Sequence, residues 1–224
     1  MSKPSSAAAA PTRQRRKEAR PQELLDAALA LFVEKGFAAT RSDEVAVKAG
    51  VSKGTLYLYY PSKEELLKAV IQQNYGGLIA EGAGIVDNFV GPSAELLAML
   101  MRMWWKRVGN SPAGGIHKIM MAEVRNFPEI AQFYRDEVIQ PASDLLIRTL
   151  RRGVERGEFR ALPYEETMHA LIAPLIFMSL HKNSFGACPS EGMDFDPDQV
   201  IEIHIDLMLH GLLDKTAAKT TTKP

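Results

Sequence analysis

The chain has 224 residues, 46% hydrophobic and 24% charged, enough for one or two compact units with a sizeable core. Its single cysteine, Cys188, excludes an internal disulfide. No apolar run is long enough to span a bilayer, and a polar, basic N-terminus does not read as a signal peptide, so a cytoplasmic protein is expected.

The net charge is zero but unevenly spread: residues 1–60 hold ten Lys/Arg against six Asp/Glu, and the remainder seventeen against twenty-one. A basic end on an acidic body suggests contact with a polyanion through that end. Residues 1–19 (MSKPSSAAAAPTRQRRKEA) read as a disordered basic arm. Pro21 suits the first turn of a helix in which Leu25, Ala28, Leu29 and Phe32 share a face, with Gly36 as the stop. A second, short helix is predicted from Thr40, capped by its hydroxyl with Asp43 reaching back, and broken at Gly50. Ser52 caps a third helix that ends at Pro61, and Ser62 with Glu65 opens a fourth.

Two short helices joined by a tight turn containing glycine form a helix-turn-helix, whose second helix enters the DNA major groove. That assignment accounts for the composition of "SKGTLYLYY". Gly54 lets the backbone approach DNA closely, beside the free amides of the helix start. Lys53 and Thr55 lie in the first turn, where base edges are read. Leu56 and Tyr60 are the expected buried pair, while Tyr57 and Tyr59 offer hydroxyls to phosphates and Lys63 adds a further phosphate contact. Thr40, Arg41 and Ser52, at the starts of the two helices, complete the DNA-binding set.

The stretch "GFAATRSDEVAVKAGVSKGTLYLYYPSKEELL" strongly resembles the DNA-binding domain of the TetR/AcrR family of bacterial transcriptional regulators over roughly residues 20–70. Gly36, Thr40, Ala46, Ala49-Gly50-Val51-Ser52, Gly54, Tyr57 and Pro61-Ser62-Lys63 carry the likeness. Tyr59 and Tyr60 stand where the family usually has His then Phe, and Ser42 where it favours an apolar residue. The resemblance implies an all-α protein: a three-helix DNA-binding domain (20–66) and a helical ligand-binding and dimerisation domain (67–214). It further implies a two-fold dimer on a palindromic DNA operator, released by a small effector.

Beyond the fourth helix, five glycines in "YGGLIAEGAGIVDNFVGP" (75–92) predict a flexible joint starting near Gly76. Helices are then expected over 93–108, 116–125, 129–156 with Pro141 inside, 164–181 with Pro174 inside, and 198–213, with a frayed tail at 215–224. The last two are apolar on most faces and are assigned to a homodimer interface. Met101, Trp104, Met120, Phe133, Tyr134, His169 and Phe177 are the candidate effector contacts, and so rich an apolar and aromatic set points to a hydrophobic or aromatic molecule. The two prolines leave the carbonyls of Glu137 and Ala170 without helical donors, kinks of the kind that border cavities. No phosphate-binding glycine loop, metal-ligand spacing or nucleophile elbow is present, so neither an enzyme, a cofactor nor a metal is expected. The remaining alternatives are a sequence-independent DNA-coating protein and an enzyme with a helical cavity; the acidic body argues against the first.

Overall fold

The computed structural model describes the backbone of residues 13–184, Gly186 and 195–213, and the side chains from Pro21 onward. Cys188, the first twelve residues and the C-terminal tail lie outside the described residues. Every regular element described is helical, as expected: α1 (Arg13–Lys35), α2 (Ser42–Lys48), α3 (Lys53–Tyr59), α4 (Lys63–Asn88), α5 (Ser93–Trp104), α6 (Gly115–Glu123), α7 (Pro128–Tyr134), α8 (Gln140–Glu155), α9 (Tyr164–Lys182) and α10 (Pro197–Leu212).

In the first three helices the turn chemistry sets the geometry. Gly36 ends α1 with φ +86°, its amide donating to the Phe32 carbonyl at 3.0 Å, and Phe37 folds back edge-to-face on Phe32 at 5.2 Å. Gly50 (φ +67°) ends α2: its amide reaches Val47 and the next amide, of Val51, reaches Ala46 at 2.9 Å. Those two bonds satisfy the carbonyls that a helix end leaves over, and they reverse the chain into α3. Leu24, Phe32, Phe37, Val45, Leu56 and Leu66 are all fully buried where the four helices meet.

Three sequence expectations need correction here. The segment up to residue 19 is helical from Arg13 onward, so α1 carries Pro21 inside it and not at its start. Helix α2 is capped one residue later than expected. Arg41 is its N-cap, and Glu44, not Asp43, reaches back to the Arg41 amide at 3.1 Å. Thr40 is 1% exposed and turns inward, its hydroxyl donating to the carbonyls of Gly36 (2.7 Å) and Leu31 (3.2 Å).

The third correction matters most for function. No joint interrupts α4 near Gly76; the helix runs 26 residues, about 39 Å, through four of the five glycines. Intrinsic propensity loses to packing. Gly82 is buried at the crossing with α8, where a Cβ would stand 2.8 Å from the Leu145 side chain. The same helix therefore starts among the N-terminal helices and forms a wall of the C-terminal bundle.

In that bundle α5 runs into a wide π-helical turn at Trp105–Gly109, and α7 passes through another at Arg135–Ile139 into α8. The second lies just ahead of Pro141, whose missing N–H leaves the Glu137 carbonyl outside the regular ladder. Helix α10 is tied to α5 by a forked Arg102–Glu202 pair (2.6 and 2.8 Å) and by the Trp105 indole N–H donating to Asp198 at 2.6 Å.

The two domains meet along a second seam besides α4. Gly115 at the start of α6 lies so close to α1 that a Cβ would stand 2.3 Å from Val33 Cγ2. Phe127 packs edge-to-face on Phe37 at 4.9 Å, and the Glu123 carboxylate accepts the Ala38 amide at 3.1 Å. Gly115→Ala is expected to lower stability by about 1–3 kcal/mol through overpacking, and Val33→Ala in the same chain to restore part of it. Chemical denaturation of the two single variants and the double variant checks this coupling.

Candidate DNA interface and effector cavity

On α3 the side chains divide between two tasks. Leu56 is fully buried and Tyr59 and Tyr60 are partly buried, packed against the core with ring centroids 6.5 Å apart. Ser52 caps the helix, accepting the Thr55 amide at 3.1 Å, and its hydroxyl lies 2.9 Å from that of Thr55. Lys53 and Gly54 stand free in solvent, the Lys53 ammonium 5.9 Å from the centre of the Tyr57 ring. Tyr57 is 39% exposed, and Leu58, not among the expected DNA contacts, is 82% exposed. A Cβ on Gly54 would touch only Ser52 Oγ, at 3.9 Å. Nothing inside the chain requires glycine there.

Two of the expected DNA contacts are occupied internally. The Lys63 ammonium donates to three carbonyls, Phe37 (2.9 Å), Ala38 and Thr40 (both 3.1 Å), and sits 4.6 Å from the centre of the Phe37 ring. All three of its protons are used, so it braces the α1–α2 turn and leaves nothing for a phosphate. Thr40 is buried, as described above. Arg41 is exposed and paired with Asp43 at 2.9 Å, a contact that raises the guanidinium pKa and lowers that of the carboxylate.

The C-terminal bundle encloses a cavity of about 400 Å³ between α4, α5, α6, α7, α8 and α9. Met101, Trp104, Met120, Tyr134 and His169 line it, as the sequence suggested. Phe133 and Phe177 do not. Phe133 faces the DNA-binding side, half-buried beneath the Lys68 ammonium at 5.8 Å, one position out of register with Tyr134. Phe177 is 61% exposed, outside the bundle.

The sequence reading also missed the polar end of this cavity. His117, on α6, and Tyr75, on α4, are both buried and both line it. His117 Nδ1 lies 3.2 Å from the Gly114 carbonyl, which only accepts, so Nδ1 carries the proton and Nε2 is the acceptor. Tyr75 therefore donates to Nε2, at 3.4 Å. Tyr134 packs edge-to-face on Tyr75 at 5.9 Å, and Trp104 lies 5.4 Å from the imidazole. Burial holds His117 down to about 4, pushes Tyr134 up to about 12 and raises Tyr75 well above the ordinary phenol value. All three stay neutral at physiological pH. Among the described residues, no Lys, Arg, Asp or Glu lines the cavity. Among the described residues no group of three His, Cys, Asp or Glu is placed to hold a metal, and no helix is long and apolar enough to cross a membrane.

A profile of bacterial regulatory proteins of the tetR family matches residues 24–70, and one of the tetracyclin repressor-like C-terminal domain matches residues 91–184. The chain belongs to the TetR family. It is a DNA-binding transcriptional regulator. Among its relatives, the HTH-type transcriptional repressor KstR2 of Mycobacterium tuberculosis is 27% identical over 138 residues, 62% of this chain and 68% of the relative. The nucleoid occlusion factor SlmA of Mannheimia succiniciproducens is 26% identical over 185 residues, 80% and 83% of the two chains. The fold matches a regulator from Saccharomonospora viridis in complex with choline, with a TM-score of 0.73 at 18% identity over 89% of this chain and all of that one. It also matches FadR of Bacillus subtilis in complex with stearoyl-CoA, with a TM-score of 0.70 at 19% identity over 85% and 98%.

A buried neutral histidine makes stability depend on pH. The unfolded chain binds a proton at His117 near pH 6.5, whereas the folded chain resists until about 4. Its contribution is thus intact above about pH 6.5 and shrinks as the pH falls toward about 4, by about 3 kcal/mol. Tyr75, which it touches, stays neutral throughout that window. Urea midpoints between pH 7 and 4 should fall more steeply for the parent protein than for His117→Gln.

Proposed function

We propose that this regulator is a cytoplasmic repressor that binds a palindromic operator as a homodimer and lets go when a small apolar or aromatic molecule fills the cavity. One observation carries the reading: α4 runs unbroken from Lys63, beneath the helix-turn-helix, to Tyr75, Leu78 and Ile79 in the cavity wall. A ligand that shifts the wall shifts the recognition helix. Two recognition helices must sit about 34–36 Å apart to share an operator, so a small displacement mis-spaces them. A ligand preference of about 1–3 kcal/mol for the spread state weakens operator affinity roughly 5- to 150-fold. The KstR2 relatives, named as repressors, favour repression. The enclosed apolar cavity favours a ligand-switched regulator over a DNA-coating protein or an enzyme.

In this reading Lys53, Thr55 and Leu58 face base edges, Gly54 lets the backbone approach, and Arg41, Ser52, Tyr57 and Tyr59 position the helix on phosphates. Leu58, on the recognition helix, suits a thymine methyl group. The charge of residues 1–19 adds a phosphate contact independent of sequence. Helices α9 and α10 form the dimer, since Phe177 (61% exposed), Ile203 (53%) and Leu207 (65%) are otherwise apolar surface in water.

Gly54→Ala separates DNA contact from stability. It should leave the melting temperature unchanged or slightly raised, because alanine is the better helix former by up to about 1 kcal/mol. It should nonetheless weaken operator binding at least tenfold. Lys53→Ala should cost about 1–3 kcal/mol of operator affinity and relax preference at one base pair, whereas Tyr57→Phe weakens all sequences alike. Fluorescence anisotropy with operator and scrambled duplexes at physiological salt reads all three. Equal affinity for both duplexes in the parent protein would point instead to sequence-independent coating.

The dimer assignment predicts that Leu207→Glu yields monomers at micromolar concentration by sedimentation, with the helical circular dichroism retained. Operator affinity should then fall steeply, because each half-site is held alone.

A further inference from the structure

The effector reading leaves the class of ligand open, and the inner end of the cavity narrows it. Tyr75 is 2% exposed, His117 6% and Tyr134 7%, yet all three line the cavity. Toward solvent the wall consists of Met121, Val124 and Ile139, all exposed, with His169 beside them. The site thus has a largely apolar mouth and body, with His169 and Ser143 its polar lining there, and a polar pole of Tyr75, His117 and Tyr134 at its most buried end.

The pole's own hydrogen bond is slack. Tyr75 and His117 stand 3.4 Å apart, against about 2.7–2.8 Å for a well-made bond to a hydroxyl. A ligand hydroxyl inserted between them accepts from the phenol and donates to Nε2, replacing one long bond with two shorter ones, whereas a ketone oxygen would accept from the phenol and leave Nε2 without a donor. The pole has no use for a charge, since Tyr75, Tyr134 and His117 are held neutral there and a buried carboxylate or ammonium without a partner is costly. The aromatic rings do not form an open cage for a quaternary ammonium either, because Tyr75 packs against both Tyr134 and His117, at 5.9 and 6.0 Å.

We propose that the cavity selects an uncharged, predominantly apolar molecule that carries one hydroxyl group, which it seats inner end first between Tyr75 and His117. This rests on the effector reading for its biological sense, but binding tests it alone. Because Tyr75 lies on α4 and His117 on α6, the oxygen engages the two helices that reach the DNA-binding domain.

A matched set of probes on one ring system isolates the pole: naphthalene, naphthol, naphthoate and, as an unrelated cation, choline. Calorimetry on the full-length dimer should rank naphthol first, naphthalene roughly three- to tenfold weaker, and naphthoate and choline weaker still. Tyr75→Phe should bring naphthol down to the affinity of naphthalene and leave naphthalene unchanged. Tyr134→Phe, which keeps the Tyr75–His117 pair, should change naphthol binding less. Melting curves without ligand show whether each variant is folded. Naphthoate or choline binding as tightly as naphthol, a Tyr75→Phe effect equal for all the probes, or no binding by any naphthalene compound would overturn the proposal. Operator release measured alongside keeps the two readings apart: naphthol that binds as ranked but releases no DNA refutes the effector role and leaves the ligand class standing.

Discussion

A helix of 26 residues with an unbroken hydrogen-bond ladder behaves as a rod, and in this protein that rod is α4. Twelve residues, about 18 Å, separate Lys63 from Tyr75. Lys63 is fixed by three carbonyls of the turn entering α2, and Tyr75 stands in the cavity wall beside the imidazole on α6. A displacement at Tyr75 is therefore carried along the helix to Lys63. The buried glycine at the α8 crossing keeps the rod close to its support, so displacement is transmitted lengthwise and not dissipated in bending. Between the cavity and the DNA surface no element has to fold or unfold for a signal to pass.

The seam through α6 makes the linkage a closed frame. Helix α6 supplies His117 and Met120 to the cavity, and from its last residue, Glu123, it holds the amide of Ala38 in the α1–α2 turn. The same turn receives the Lys63 ammonium. Cavity, α4, turn and α6 therefore share fixed corners. A ligand wedged between α4 and α6 acts on both sides of the frame at once, which favours two discrete arrangements over a continuous range.

What the sequence disclosed and what it hid divide by the distance over which the information acts. Caps, glycine stops and spacing are local, and they placed α2, α3 and the C-terminal end of α1 to within a few residues, together with the free surface of Lys53 and Gly54. The continuation of α4 was hidden because the glycines of 75–92 look like breakers until Leu145 is known to lie against Gly82. Lys63 read as a DNA contact because no sequence pattern shows the three carbonyls, some twenty-five residues upstream, that claim its protons. Ring size does not distinguish Phe133 from Tyr134 beside it on α7, nor the outward Phe177 from the cavity-lining Ile176 beside it on α9; only helix register does. His117 carried no signal beyond a lone imidazole in an apolar segment, and its burial depends on α4, α5 and α9 meeting around it.

The near-contact of Gly115 with Val33 bears on how such regulators are recombined. The DNA-binding half looks like a portable reading head that might be exchanged between relatives at the end of the helix-turn-helix. Helix α1 belongs to that head, yet it is fitted to α6 of the host with no room for a single methyl group at position 115. A transplanted head would have to bring a side chain no bulkier than valine at position 33 and an aromatic ring at 37 to meet Phe127. A graft lacking either would still fold and still grip DNA, but it would do so deaf to the cavity.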